Sequence, residues 1–206
     1  MKTGGAVGIP TVLILITSLF IAGTIAKALL DNPMTYPPNN PQDSVMEAVD
    51  EISTYLEIQD IVGLYSSTTA DAHLTRIVLL ISPFFSQSID LRSLTIQLND
   101  GEHLHMLVYN EQVQSLADHG VFTHPLWDAL PAYTFGCIST HDKDQSMTFH
   151  TLNAQTDMAY LLLPLPSSYD VQKDTMLEIT IFPGTGVQRS VVVHAPLPMR
   201  NVVSLR

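Results

Sequence analysis

Charged residues, cysteine and basic residues are all scarce in this chain of 206 residues. Only 14% of the residues are charged, whereas soluble globular domains usually carry about 25%. The single cysteine, Cys137, excludes an intramolecular disulfide framework and a cysteine-based structural zinc cluster. Nine basic residues stand against twenty acidic ones, and the resulting net charge of −11 excludes a nucleic-acid partner held through its phosphates. The hydrophobic fraction of 46% likewise excludes a disordered chain.

What the chain does contain is a long apolar run near its start. Residues 4–26 include no charged residue, and a helix of this length spans roughly 30 Å, enough to cross a bilayer. The run is apolar on all sides, so every face of the predicted helix over residues 6–30 must meet lipid or other protein. Lys2 precedes the run and all twenty acidic residues follow it, which predicts an acidic remainder on the outer side of the membrane. A secretory signal peptide is the alternative, with residues 22–26 (Ala-Gly-Thr-Ile-Ala) as its possible cleavage site.

Beyond the helix, the pattern changes to a linker, a short helix and then strands. Residues 31–43 hold four prolines and form a predicted linker. Ser44 and Glu47 have capping-box spacing, which predicts an amphipathic helix over about residues 44–55. Nine short runs with strand character follow, separated by turn residues. They cover residues 56–65, 74–81, 94–98, 104–109, 133–138, 147–152, 158–163, 176–182 and 190–194.

These elements predict an α+β chain. A long N-terminal hydrophobic helix is followed by an immunoglobulin-like antiparallel β-sandwich domain, which occupies residues 44–206 together with its short leading helix. The turn sequence Asn99-Asp100-Gly101 predicts a hairpin between two of the strands. Residues 111–131, with Trp127 between two prolines, are expected to form a long surface excursion.

Several motifs in one order point to a known family. A short basic leader and Gly4-Gly5 precede the apolar stretch that begins Ala6-Val7-Gly8-Ile9-Pro10. Later segments follow at residues 56–63, at Ile89-Asp90-Leu91 and at residues 177–184. In this order they resemble archaellins, the archaeal flagellins of the swimming filament. Bacterial type IV pilins carry glutamate at the fifth mature position, where this chain has Pro10, so the resemblance is to the archaellin side of that superfamily.

The resemblance implies a processing site and an assembly element. A class III signal-peptide peptidase would cut between Gly5 and Ala6 and remove residues 1–5 as a leader. The helix over residues 6–30 would then serve first as a membrane anchor and later as the core of an extracellular filament. Its expected core-packing side chains are Val12, Leu13, Ile16, Phe20 and Ile25.

The implied partners are further copies of this chain, paralogous subunits, and the platform and ATP-driven motor of the archaellum. The chain departs from the family in two respects. The proline-rich linker interrupts a helix that normally runs on, and no Asn-X-Ser/Thr site is present for N-glycosylation. No cofactor is expected.

Residues with catalytic or metal-binding chemistry form no recognisable motif. His103 and His105 alternate on a predicted strand and face one side, and a later segment with His141, Asp142 and Asp144 offers a third zinc ligand. Solvated polar positions on a hairpin and a loop are the favoured interpretation, because a zinc site needs three or four convergent ligands. Asp142 and Asp144 slightly resemble a calcium loop but lack its glycine and distal glutamate. Cys137 lies in an apolar run and is expected to be a buried, inert thiol.

The sequence therefore predicts a structural filament subunit and not an enzyme. An adhesive type IV-like pilin would share the leader and the helix but would not rotate. A membrane-anchored extracellular β-sandwich, acting as a binding or stator-like module, is the alternative from a different class.

Overall fold

The structure is a computed structural model, and it describes residues 55–69, 71–116, 119–166 and 168–205. The helix predicted over residues 6–30, the linker over 31–43 and the short helix over 44–55 lie outside the described residues, apart from residue 55. Eleven strands are described: β1 (Leu56–Tyr65), β2 (Leu74–Pro83), β3 (Ile89–Asp90), β4 (Thr95–Asn99), β5 (Leu104–Ser115), β6 (Thr134–His141), β7 (Thr151–Leu152), β8 (Met158–Pro164), β9 (Met176–Phe182), β10 (Arg189–His194) and β11 (Val202–Ser204).

Four short helices lie between the strands. One is α-helical, α1 (Leu126–Ala129), and three are single 3₁₀ turns at Leu91–Ser93, Val121–Thr123 and Ser146–Phe149. In the part of the chain that the structure describes, no helix is long and apolar enough to span a membrane.

Nine strands form one continuous sheet in the order β10-β9-β4-β5-β6-β8-β2-β1-β11, while β3 and β7 pair separately. The sheet curls around a single core to which the side chains of all nine strands contribute. The prediction that the described part of the chain is mainly β is confirmed. Its arrangement differs from the predicted two-layer antiparallel sandwich, because the sheet is continuous and β5 pairs with β6 in parallel. A parallel pair needs a crossover connection, and residues 116–133 supply it.

The burial pattern of each strand reflects what covers its two faces. In β5, Leu107 and Tyr109 face the core, while Met106 and Val108 face outward and are exposed. In β2, by contrast, both faces are buried, as the consecutive residues Ile77, Val78 and Leu79 show. A strand covered on both faces has an unbroken apolar run instead of an alternation. The second cover of β2 is the crossover segment.

The prediction of a long surface excursion over residues 111–131 is wrong in part, because residues 111–115 belong to β5 and the crossover that follows packs on the sheet. Leu126 and Trp127 of α1 are buried against Val78, Ile138 and Leu162 on the outer face of the sheet. The indole nitrogen of Trp127 donates a hydrogen bond to a backbone carbonyl 2.8 Å away, and the Arg76 guanidinium lies 4.9 Å from the centre of the indole ring. The crossover therefore forms a second, smaller apolar cluster outside the sheet.

The predicted strand over residues 147–152 is largely wrong. Its first part is the 3₁₀ turn Ser146–Phe149, and only Thr151 and Leu152 are extended. Gln145 and His150 flank this turn with φ angles of 60° and 61°. A residue in the left-handed region lies outside the β region of backbone conformations, so the apolar residues here cannot continue as one strand.

Candidate functional surfaces

The residues predicted for processing and for assembly lie outside the described part of the chain. The processing site is the pair Gly5 and Ala6, and the expected core-packing residues are Val12, Leu13, Ile16, Phe20 and Ile25. The cleavage site and the filament core therefore stay predictions. The described residues instead present an acidic turn, a polar groove beside it and an exposed apolar strand face.

The two aspartates of the weak calcium-loop motif form a tight turn after β6. One carboxylate oxygen of Asp142 accepts a hydrogen bond from the backbone nitrogen of Ser146 at 3.0 Å, and the other accepts from that of Met147 at 3.0 Å. Asp144 accepts from the same Ser146 nitrogen at 3.2 Å and from the amide side chain of Asn153 at 2.8 Å. Both side chains therefore hold the start of the 3₁₀ turn.

A third carboxylate, that of Asp157, lies beside this turn, on the residue just before β8. Carboxylate oxygens of Asp142, Asp144 and Asp157 lie within 4.8 Å of one another. Asp157 is only 1% exposed and accepts hydrogen bonds from the backbone nitrogens of Asn153 and Ala154 at 2.9 Å and 3.0 Å. Three oxygen donors of this kind suit a hard divalent cation, and the same oxygens also accept protein N–H groups. Sequence reasoning missed Asp157 because no spacing motif links it to the other two.

Hydrogen bonding to the charged form sets the acidity of Asp144. The Asn153 amide, and after it the Ser146 backbone N–H, lower the pKa of Asp144 to about 2. A carboxylate that accepts several N–H bonds is stabilised in its ionised form. Asp144 is therefore charged over the whole physiological range.

A polar groove of about 700 Å³ adjoins the acidic turn. One wall is the 3₁₀ turn with Gln145 and His150, and the other is the bulged part of β5 with Glu111 and Gln112. The bulge arises because β5 has two more residues than β6 between the pairs Tyr109–Phe135 and Val113–Cys137, and Glu111 takes a φ of 51° there. Carboxylate, amide and hydroxyl side chains line the groove together with Val113, Met147 and His150.

His103 and His105, the zinc candidates of the sequence, both pack against the aromatic ring of Tyr169. His103 and His105 lie 6.0 Å and 5.0 Å from Tyr169, measured between ring centroids. His103 also contacts the Asp100 carboxylate at 3.2 Å, and His105 contacts the Ser168 hydroxyl at 3.2 Å. His141 lies at the end of β6, in another part of the sheet. Within the described ranges, the three-carboxylate cluster is the one group of three or more candidate ligands that could share a metal ion.

The thiol of Cys137 is completely buried in the core. Burial raises the pKa of this thiol far above its ordinary value, because the thiolate would be desolvated. Since the thiolate is the nucleophile, this environment removes the reactivity of the group.

An apolar row faces solvent on the outer side of the sheet. Leu104, Met106 and Val108 of β5 are 58%, 42% and 52% exposed, and they point to one face because a strand alternates its side chains. Contiguous exposed apolar side chains of this kind mark surfaces that bind protein. The sequence predicted the strand, but it did not show which of its faces would be covered.

Comparison with known proteins points to one class of protein. No protein-family profile matches the chain. Flagellin B4 of Pyrococcus abyssi is 26% identical over 155 residues, an alignment that covers 71% of this chain and 69% of that protein. Flagellin B3 of Methanocaldococcus jannaschii is 26% identical over 147 residues, covering 69% of this chain and 66% of that protein. The chain thus spans about two thirds of the length of the flagellins that it matches.

Solved structures show the same fold. The archaeal flagellin FlaB1 of Methanocaldococcus jannaschii aligns with a TM-score of 0.63 at 19% identity, covering 73% of this chain and 95% of that chain. The archaeal flagellum of Methanospirillum hungatei aligns with a TM-score of 0.51 at 14% identity, covering 92% of this chain and 94% of that chain.

The described part of the chain therefore has the fold of archaeal flagellins. More particularly, the chain resembles archaellins in sequence as well as in fold, which confirms the resemblance seen in its motifs. The relatives described here are named as flagellins and not as enzymes.

Proposed function

We propose that this chain is an archaellin, a structural subunit that polymerises into an archaellum-type motility filament at the cell surface. The observation that carries the proposal is that sequence and fold point independently to flagellins, with 26% identity to one and a TM-score of 0.63 to another. In this proposal the precursor is inserted in the membrane through residues 6–30. A class III peptidase cuts between Gly5 and Ala6, and the archaellum platform and motor assemble and rotate the product.

Assembly is driven by apolar burial of the helix. Each apolar side chain of the predicted filament core, for example Leu13 or Ile16, stabilises the filament by roughly 1.5–3 kcal/mol when it becomes fully buried. This free energy of burial is gained again with every subunit added, so many modest contacts hold the filament together. The acidic outer domain supports solubility, since the chain carries a net charge of −11. The apolar row Leu104, Met106 and Val108 offers a surface through which neighbouring outer domains can meet.

The test combines shearing with mass analysis. Protein sheared from the cell surface is purified, and its intact mass and N-terminal sequence are determined. We expect a chain that begins at Ala6 in a polymeric fraction, and a motility assay on the same cells then separates swimming from adhesion. A chain that still begins at Met1 and occurs only as a detergent-soluble monomer would contradict the proposal and favour the anchored module.

A matched pair of variants tests the helix. Leu13→Asp places a charge in the predicted filament core and should abolish filaments while the outer domain stays folded. Leu13→Val keeps the position apolar and should leave filaments at normal abundance. Normal filaments of the Asp variant would refute the helix core.

A further inference from the structure

The polar groove between β5 and the 3₁₀ turn has hydrogen-bonding groups that the fold itself does not use. Its volume of about 700 Å³ is within the range of pockets that hold small organic ligands. Three carboxamide side chains line it, those of Gln112, Gln114 and Gln145, and none of them has a hydrogen-bond partner among the described residues. A carboxamide offers two donor hydrogens and one acceptor oxygen, so the groove presents both kinds of group to a ligand.

Three residues around the groove have left-handed backbone conformations. The φ angles of Glu111, Gln145 and His150 are 51°, 60° and 61°, and these are three of the five non-glycine residues with positive φ in the described ranges. Such conformations persist only where neighbouring contacts impose them, and they cluster at ligand-binding sites. Here the imidazole of His150, on the turn, contacts the hydroxyl of Tyr109, on β5, at 3.2 Å. The two walls are therefore tied together before a ligand binds.

The charges in the groove restrict what can enter it. Its ionisable lining residues are Glu111, Asp142 and His150, and no lysine or arginine lines it within the described part of the chain. A phosphate, sulfate or carboxylate group would be repelled by the two carboxylates and would find no fixed cation. Both oxygens of Asp142 already accept backbone N–H groups, and the exposed carboxylate of Glu111 is by itself a weak anchor for a cation. The groove therefore suits a neutral, polar ligand.

An exposed aromatic ring lies on the turn that forms one wall. Phe149 is 75% exposed, and its chain neighbours Thr148 and His150 both line the groove. The face of an aromatic ring carries negative potential, and the C–H groups of a pyranose ring pack against it. The hydroxyls around the edge of such a sugar ring then take hydrogen bonds from planar polar side chains, carboxamides above all. A flat apolar ring beside several carboxamides is thus the combination that recognises sugars.

We propose that the polar groove binds a neutral oligosaccharide built of pyranose units. Phe149 packs against the C–H face of one unit. Gln112 on β5 and Gln145 on the turn, from opposite walls, bind pairs of neighbouring hydroxyls, which both donate and accept as the carboxamides do. This binding site goes beyond the proposed filament role and does not depend on it.

Ligand-observed saturation-transfer NMR on the purified full chain tests the site, because the method detects weak affinities. The chain is kept in a deuterated detergent without a sugar headgroup, and the probes are hexasaccharides of glucose, galactose, mannose and N-acetylglucosamine. We expect saturation transfer to at least one of these neutral probes, strongest at the ring C–H protons of a few sugar units. Hexagalacturonate, which carries carboxylates on the galactose frame, should show none, because Glu111 and Asp142 repel it.

Matched variants locate the site. Phe149→Ala should weaken binding about tenfold, a usual loss when a flat ligand ring loses its aromatic platform. Gln112→Ala should also weaken it. Tyr133→Ala is the control, because it removes another exposed ring, 51% exposed, and should leave the affinity unchanged. Tyr133 comes just before Thr134, which begins β6, and Ser139 of the groove lies about 16 Å further along that strand.

A neutral peptide of alternating serine and threonine tests the other occupant that this groove suits. β5 extends past its last pair with β4, Thr95–Val108, and a free strand edge of this kind can pair with an extended peptide. The peptide supplies hydroxyls without a pyranose face. Transfer to the peptide and to none of the sugars would overturn the sugar site in favour of strand addition.

The remaining outcomes are equally decisive. No transfer to any neutral hexasaccharide would overturn the site, and transfer to hexagalacturonate as strong as to the neutral probes would overturn the selection by charge. Equal affinities of the Phe149→Ala and Tyr133→Ala variants would show that Phe149 is not the platform and that the sugar binds elsewhere. A chain that binds sugar in the expected way but forms no filaments would defeat the filament proposal alone.

Discussion

The hydroxyl of Tyr65, at the end of β1, donates a hydrogen bond to the carbonyl of Pro196 at 2.5 Å. Pro196 lies between β10 and β11, and the backbone nitrogen of Tyr65 donates to the carbonyl of Asn201 in the same connection at 2.7 Å. Tyr65 is 2% exposed. One buried residue thus ties the C-terminal connection to the strand that begins the described domain.

Removing the Tyr65 hydroxyl tests how much this hydrogen bond stabilises the fold. Tyr65→Phe should lower the free energy of unfolding by about 1 kcal/mol, because the partly buried Pro196 carbonyl loses its donor. Tyr160→Phe is the matched control, since no side-chain hydrogen bond of Tyr160 is found among the described residues, and its cost should be under about 0.5 kcal/mol. Urea unfolding measures both, and equal losses in the two variants would contradict the assigned role.

Asp157 should be essential to the acidic turn. Asp157→Ala leaves the backbone N–H groups of Asn153 and Ala154 without their acceptor at a position that is 1% exposed, and we expect a loss of about 2–3 kcal/mol. Asp157→Asn keeps an oxygen that can accept from both groups and also relieves repulsion with Asp142 and Asp144, so its loss should be smaller. Thermal unfolding of the two variants side by side measures the difference, and an Asn variant as unstable as the Ala variant would mean that the charge, and not the acceptor, matters.

Trp127 should anchor the crossover. Trp127→Ala removes a large ring that is 6% exposed, its hydrogen bond to Val121 and its contact with Arg76, and a loss of about 3–5 kcal/mol is expected. Trp127→Phe should keep most of the packing and lose less. Phe149→Ala, at a ring that is 75% exposed, should change stability by less than about 0.5 kcal/mol. Chemical denaturation followed by circular dichroism measures all three variants, and a Trp127→Ala loss as small as that of Phe149→Ala would exclude an anchoring role.

The acidic turn should also give the fold a defined pH dependence. The pKa of Asp144 is lowered to about 2 in the folded state, against about 3.9 in an unfolded chain. Its stabilising contribution is therefore fully present above about pH 4 and is lost as the pH falls towards 2. Asn153→Ala removes the side-chain donor that contributes most, so the pKa of Asp144 should rise towards its ordinary value.

Carboxyl NMR titration of Asp144 measures that change directly. Gln155→Ala is the control from the same turn, because the Gln155 side chain donates to the Phe84 carbonyl and not to Asp144. An unchanged Asp144 titration in the Asn153 variant would show that the amide is not the cause of the low pKa.

Short-range patterns in the amino-acid sequence predicted much of the sheet. The run 56–65 became β1 with the same bounds, and Asn99-Asp100-Gly101 became the turn between the antiparallel strands β4 and β5, with Gly101 at a φ of 93°. Both depend on short-range chemistry: alternation within a strand, and a turn residue that tolerates a positive φ.

What the sequence could not show depends on distant residues. The parallel pairing of β5 with β6 follows from the path of the crossover, which strand periodicity does not encode. The approach of Asp157 to Asp142 and Asp144 requires β6 and β8 to be neighbours first. Two-residue strands such as β3 are too short for any period to be visible. The burial of Leu126 and Trp127 had a signal, an apolar pair inside a polar segment, but nothing in the pattern identified the strands that it covers.

The interior position of β1 has a mechanical consequence. Any pulling force that reaches the domain through the chain before Tyr55 enters at Leu56 and acts along the axis of β1. This strand is hydrogen-bonded to β2 over most of its length and to β11 over residues 62–64. The force therefore runs at right angles to two ladders of backbone hydrogen bonds and loads them in shear, so that many must break together instead of one after another. A domain attached in this way resists extraction by drag far better than one attached through an edge strand that peels away.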